Sequence, residues 1–239
     1  MAFDNDQTVL RTGSRAESSA LDMGLRAHML KVYNYMGSAL ALTGIVAMMT
    51  ASSETMLNAI FGTPLAWVVM LAPFGFILAL SFGIHKMSTS TAQAVFWAFA
   101  VVMGMSMASI FVVYTGTSIE RVVFITASMF GAMSLYGYTT KRDLSGFGSF
   151  LIMGLFGLII AMIVNIFLQS TALDFVISAA GVLIFVGLTA YDTQKIKSIY
   201  SEADGQTTAT KKAIMGALTL YLDFINLFLM LLRLVGERR

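Results

Sequence analysis

The chain has no cysteine among its 239 residues, only two histidines, and only 12% charged residues. Without cysteine there is no disulfide framework, no thiol nucleophile and no thiolate metal site, whatever the redox compartment. With His28 and His85 as the only imidazoles, no Ser/His dyad or histidine metal cluster stands out. The net charge of +2 is too small and too dispersed to suggest nucleic acid. The scarcity of charge excludes most: an ordinary soluble domain has about 25% charged and 45–50% apolar residues, whereas this chain is 57% hydrophobic.

What is present is apolar. Uncharged runs cover 32–53, 55–84, 87–119, 122–140, 144–173 and 175–191, and 213–232 is apolar apart from Asp223. Each is near or above the roughly 17–25 residues that cross a bilayer. The pattern predicts an all-α integral membrane protein with helical spans at 28–50, 65–85, 92–114, 120–138, 147–168, 174–198 and 211–233. These spans form one transmembrane domain over 27–234, preceded by a polar tail over 1–26 that is expected to be disordered and followed by a short polar end at 235–239. No short apolar core with a small-residue cleavage site precedes the first span, which is expected to act as a signal anchor. Loops of a few residues leave no room for a second domain.

Counting Lys and Arg by side orients the bundle. An internal N-terminus puts eleven on the cytoplasmic side and four, Arg121, Arg233, Arg238 and Arg239, on the other. The N-terminus is therefore expected in the cytoplasm, in a cytoplasmic-membrane protein whose constant partner is the lipid bilayer. The last span is expected to cross fully, since 213–232 reaches about 30 Å at 1.5 Å per residue. Pro73 is expected to kink the second span. Gly37-xxx-Ala41 and Gly104-xxx-Ala108 form small-residue ridges suited to close helix contact. Met103, Met105 and Met107 are expected to fill apolar gaps, not to bind a ligand.

Two acidic residues lie inside the spans: Asp192 toward the end of the sixth and Asp223 at the middle of the seventh. A charge at the bilayer centre costs at least about 2.5–3.5 kcal/mol and must be paired, hydrated or neutralised. Thr219, Asp223 and Asn226 fall at i−4, i and i+3, a polar stripe that should face protein or water. The sixth and seventh spans are consecutive and antiparallel, so the two carboxyls can meet and share a proton, which makes a pH sensor. Depth opposes this, because Asp192 lies roughly 10 Å cytoplasmic of its own helix centre. Contact requires that helix to sit deeper, with Lys195 and Lys197 snorkelling. The plainer alternatives are an Asp192–Lys195 ion pair at i+3 and, for Asp223, a bond that merely holds helices together. His85 and Lys86, at the end of the second span, are either interface anchors or tuners of the pair's charge. Two aspartates on neighbouring helices also raise an intramembrane aspartyl protease. Tyr191-Asp192 fits its first motif, but Tyr221-Leu222 precede Asp223 where Gly-x-Gly is needed, so no enzyme is expected.

Four segments together resemble the Bax inhibitor-1 family, in its bacterial YccA/YetJ-type branch. They are Leu30-Lys31-Val32-Tyr33, Thr139-Thr140-Lys141-Arg142-Asp143-Leu144-Ser145, Tyr191-Asp192-Thr193-Gln194 and the run from Leu220 to Phe228, Leu-Tyr-Leu-Asp-Phe-Ile-Asn-Leu-Phe. The resemblance implies a seven-helix bundle with the seventh helix central and wrapped by the other six. For the family's calcium-leak members it implies a pore gated by protonation of paired aspartates, which match Asp192 and Asp223. Those members carry an arginine near the end of helix 2 that engages the aspartates, where this chain has His85-Lys86. The leading expectation is a pH-sensitive leak for a cation, Ca²⁺ first, with Thr219 and Asn226 as polar lining. Two carboxylates fall short of the six to eight oxygens Ca²⁺ takes, so only transient cation contact and no resident cofactor is expected. The alternative is a non-transporting interaction protein that modulates a membrane quality-control protease through its N-terminal tail.

Overall fold

The computed structural model describes residues 3–239, with side chains from Asp22 onward. The expectation for most of the 1–26 tail therefore lies outside the residues described in full. Among the described residues the chain is helical, with eight helices: α1 (Phe3–Ala51), α2 (Glu54–Phe61), α3 (Leu65–Gly83), α4 (Thr89–Val113), α5 (Gly116–Thr139), α6 (Ser145–Leu168), α7 (Thr171–Ser198) and α8 (Gln206–Val235). Seven are long and apolar enough to cross a membrane, α1 through its segment Asp22–Ala51. The eighth, α2, is not among the expected spans. Ser53 starts it by accepting from the Met56 amide, Glu54 favours its first turn, and at 8 residues it is too short to cross.

Small residues and hydroxyls set the packing. On α1 the buried stripe is Val32, Met36, Ala39, Thr43 and Ala47, which lies against α4. At Gly104 a Cβ would come 2.7 Å from the Thr43 carbonyl oxygen, so only glycine permits this approach. The other expected ridge is corrected: Gly37 and Ala41 are exposed, and a Cβ on Gly37 meets nothing within 4 Å. Met103 and Met107 pack against the core. Pro73 lies inside a continuous α3, where it leaves the Val69 carbonyl without its usual amide donor.

The helices form two groups with α8 between them. One apolar core joins α1, α3 and α4 to the first half of α8, and a second joins α5, α6 and α7 to its second half. The α8 contacts run to α1, α3, α4, α5 and α7, whereas α6 packs on α7. The α8 helix is continuous over 30 residues and ends beside the α4–α5 link. There Thr115 donates to the Glu237 carbonyl at 3.1 Å and Arg239 donates to the Val113 carbonyl at 3.0 Å.

Candidate functional site

The Tyr191–Gln194 segment of α7 presents four consecutive side chains at about 100° intervals, so each reaches a different neighbour. Tyr191 lies against Gly148 of α6, where any Cβ would overlap its ring. Thr193 is fully buried and bonds Ser134 of α5 at 3.0 Å. Gln194 accepts from the Leu144 amide at 2.8 Å and donates to the Arg142 carbonyl at 2.8 Å, clamping the α5–α6 link. Asp192 turns inward to Asp223 of α8, with the two carboxyls within hydrogen-bonding reach. Both groups are acceptors when ionised, so the contact requires a proton between them.

The α7–α8 register explains how the two meet despite their different depths. Gly216 abuts Ile196, Lys212 donates to the Ile199 carbonyl at 2.8 Å, and Gly181 abuts Met230. This antiparallel alignment sets Asp192 level with Thr219 and Leu220, one turn from Asp223. The N-terminal end of α8 overhangs the end of α7, so the middle of α8 lies opposite the last third of α7. Gly137 of α5 lets α7 come close here, since a Cβ on it would collide with the Ala190 carbonyl.

Asp223 is buried at 5% exposure, and no amide, ammonium or hydroxyl of the described residues donates to its Oδ2. Thr219 donates to the Met215 carbonyl at 3.1 Å and Asn226 donates to the Leu222 carbonyl at 2.8 Å. Both spend a donor on their own helix and keep acceptor lone pairs on the Asp223 stripe. Lys195 is the cation whose charge reaches Asp192, and its ammonium sits 5.8 Å from the Tyr191 ring centroid without forming an ion pair with the carboxylate. His85 and Lys86 are exposed beyond the end of α3, and neither pairs with an aspartate. Asp192 and Asp223 thus meet, Thr219 and Asn226 share the Asp223 face of α8 by their i−4 and i+3 spacing, and His85 and Lys86 pair with neither aspartate. Among the described residues no group of three or more His, Cys, Asp or Glu is placed to hold a metal ion.

Sequence reasoning missed two hydroxyl networks beside the pair. Thr193 donates to the Thr189 carbonyl at 2.7 Å, which leaves it to accept from Ser134, and Ser134 in turn accepts from the Tyr33 hydroxyl at 2.5 Å. One directed chain therefore links α1, α5 and α7. On the other side Thr43 donates to the Ala100 carbonyl at 2.9 Å and accepts from the Tyr221 hydroxyl at 2.7 Å, joining α1, α4 and α8. The only sequence signal was that Tyr33, Thr193 and Tyr221 stand inside the segments that carry the family resemblance.

Fold and site together define a multi-pass helical membrane protein with a carboxyl pair, one member buried and one partly so, between two of its helices. The family model described as "Inhibitor of apoptosis-promoting Bax1" matches residues 25–239, and the chain belongs to this Bax inhibitor-1 family. It is 51% identical over 224 residues to the protein RP147 of Rickettsia prowazekii, covering 94% of this chain and 95% of that one. It is also 47% identical over 219 residues to the inner membrane protein YbhL of Escherichia coli K12, covering 90% of this chain and 94% of that one.

Proposed function

We propose that the protein is a pH-sensitive cation leak of the bacterial cytoplasmic membrane, with Ca²⁺ as the first candidate ion and Asp192 and Asp223 as sensor and gate. The observation that supports this most is the Asp192–Asp223 contact inside the bundle, with Asp223 buried at its centre. A carboxyl pair that shares one proton between the partly buried Asp192 and the buried Asp223 holds α7 and α8 together. Losing that proton puts two negative charges side by side in a low-dielectric site, where they repel each other and attract cations. Thr219 and Asn226 offer neutral oxygens along the same stripe, enough for a partly hydrated cation in passage and too few for a tight Ca²⁺ site.

The test is flux into Ca²⁺-dye liposomes across a pH series. Wild-type protein is expected to pass Ca²⁺ in a pH-dependent manner. Asp192→Asn with Asp223→Asn is expected to lose the pH dependence, because amides do not titrate in this range. No flux above empty liposomes, or wild-type pH dependence in the double variant, overturns the reading. The interaction-protein reading rests on the N-terminal tail, and deletion of residues 1–20 that abolishes binding to a membrane protease without altering flux would support it instead.

A further inference from the structure

The two helix groups that flank α8 fail to close on one side. Between α1 and α5 runs a crevice of about 540 Å³ with Met29, Tyr33, Phe130, Ser134 and Tyr138 in its walls and Arg26 at its mouth. Its two interior hydroxyls, Tyr33 and Ser134, are spent on each other and on Thr193. The surface offered to a guest is therefore apolar, and filling it with hydrocarbon strands no polar group. The crevice ends at Phe130, which packs edge-on against Phe224 at 5.6 Å between centroids, and a separate cavity of about 290 Å³ begins beyond Phe224. From Tyr138 to Phe130 is about 12 Å of helix, close to half of the roughly 30 Å hydrocarbon core. The depth is that of one leaflet.

The mouth is cationic. Arg26 is exposed there, and the Lys197 ammonium lies 5.1 Å over the ring of Tyr138 while donating to the Tyr138 carbonyl at 2.8 Å. Neither cation has an acidic partner among the described residues, where the ion pairs are Arg121–Glu237 and Lys212–Asp204. Arg26 in the lining and Lys197 held on the lining residue Tyr138, beside a one-leaflet apolar slot, match the two ends of one molecule type. We infer that the α1–α5 crevice is a binding site for an anionic phospholipid, its phosphate between Arg26 and Lys197 and one acyl chain along Phe130 and Met29. Basic pockets between membrane helices have this chemistry, and the volume lies within the usual range for a ligand cleft. The site stands apart from the leak reading, since it uses neither aspartate.

Native mass spectrometry of the full chain in detergent, titrated with phosphatidylglycerol or phosphatidylcholine, tests it without any flux measurement. The wild type is expected to retain one phosphatidylglycerol per chain with roughly tenfold preference over phosphatidylcholine. Arg26→Gln with Lys197→Gln should reduce that preference to within about twofold, since the headgroup charge then meets no cation. Gly131→Leu should lose both lipids. Gly131 lines the crevice and a Cβ there meets nothing within 4 Å, so the larger side chain fills the slot without straining the fold. Equal retention of the two lipids by wild type, undiminished retention in Gly131→Leu, or a lipid-free dimer overturns the site.

Discussion

The α6 and α8 helices are both long membrane spans, yet they solve opposite problems. Over its most apolar 18 residues α6 has the higher mean hydropathy, 2.7 against 1.9, and only 11% of that stretch is buried against 67% of the corresponding stretch of α8. Its Phe150, Met153, Phe156, Ile160 and Phe167 side chains point outward. In a bilayer the solvent is itself apolar, so burying a leucine between helices gains little over leaving it in lipid. What sets the interior apart is therefore less its large apolar residues than the small residues that let backbones approach and the polar groups that find partners. That is where Asp223, Tyr221 and Gly216 of α8 sit.

The sharpest way to break this contrast is to add the same bulk in both places. Gly137→Leu drives a side chain into the Ala190 carbonyl and is expected to cost about 3 kcal/mol or more. Gly157→Leu on α6, exposed and with nothing within 4 Å of a Cβ, should stay within about 0.5 kcal/mol. Denaturant unfolding of the purified variants reads the difference, and equal costs would defeat the distinction between lipid face and interior. A smaller effect is expected from the carboxyl pair. Its contact needs one proton, so its contribution is present at lower pH, where that proton is held, and is lost as pH rises and both groups ionise. Wild type is expected to lose about 2 kcal/mol over that transition, whereas Asp192→Asn with Asp223→Asn should show a flat profile. Parallel thermal-midpoint curves for the two proteins would remove the pair from the interior's account.

The smallest effect lies outside the bundle, at Asp143 in the α5–α6 link. The Ser145 hydroxyl and backbone amide hold its carboxyl below the ordinary 3.8, with the amide at 2.9 Å. A lowered value means that its contribution is present at neutral pH and is lost as pH falls through the acid range. The group is fully exposed, so Asp143→Asn should leave the thermal midpoint at neutral pH unchanged, while NMR titration of the wild-type carboxyl finds a midpoint under 3.8. A midpoint at or above that value would show that the Ser145 contact does not persist in solution.

Much of the fold was legible because charge marks helix ends in a membrane. The expected span at 65–85 corresponds to Leu65–Gly83, and 147–168 to Ser145–Leu168. The expected starts at 92, 120 and 174 came about a turn late, because Ser88, Thr115 and Ser170 begin α4, α5 and α7 by capping them with their hydroxyls. A hydropathy pattern registers the apolar run and passes over the polar residue that launches it. The α2 helix escaped for the same reason. Asp192 and Asp223 stood out through the cost of charge in lipid, but their contact depends on the overhang of α8 past α7, a tertiary offset no local pattern carries. Ser134 and Thr43 were silent because a hydroxyl in an apolar run is cheap enough to pass as filler until its partner is known.

Because α8 contributes to the cores of both helix groups, the order of synthesis has a cost. The first seven helices emerge before the one that completes them, so Thr43 must wait for Tyr221 and Asp192 for Asp223. A nascent chain halted before Gln206 holds two half-cores that face lipid with unmatched polar groups. Truncations from the C-terminal end should therefore fail as whole molecules, not as shortened ones.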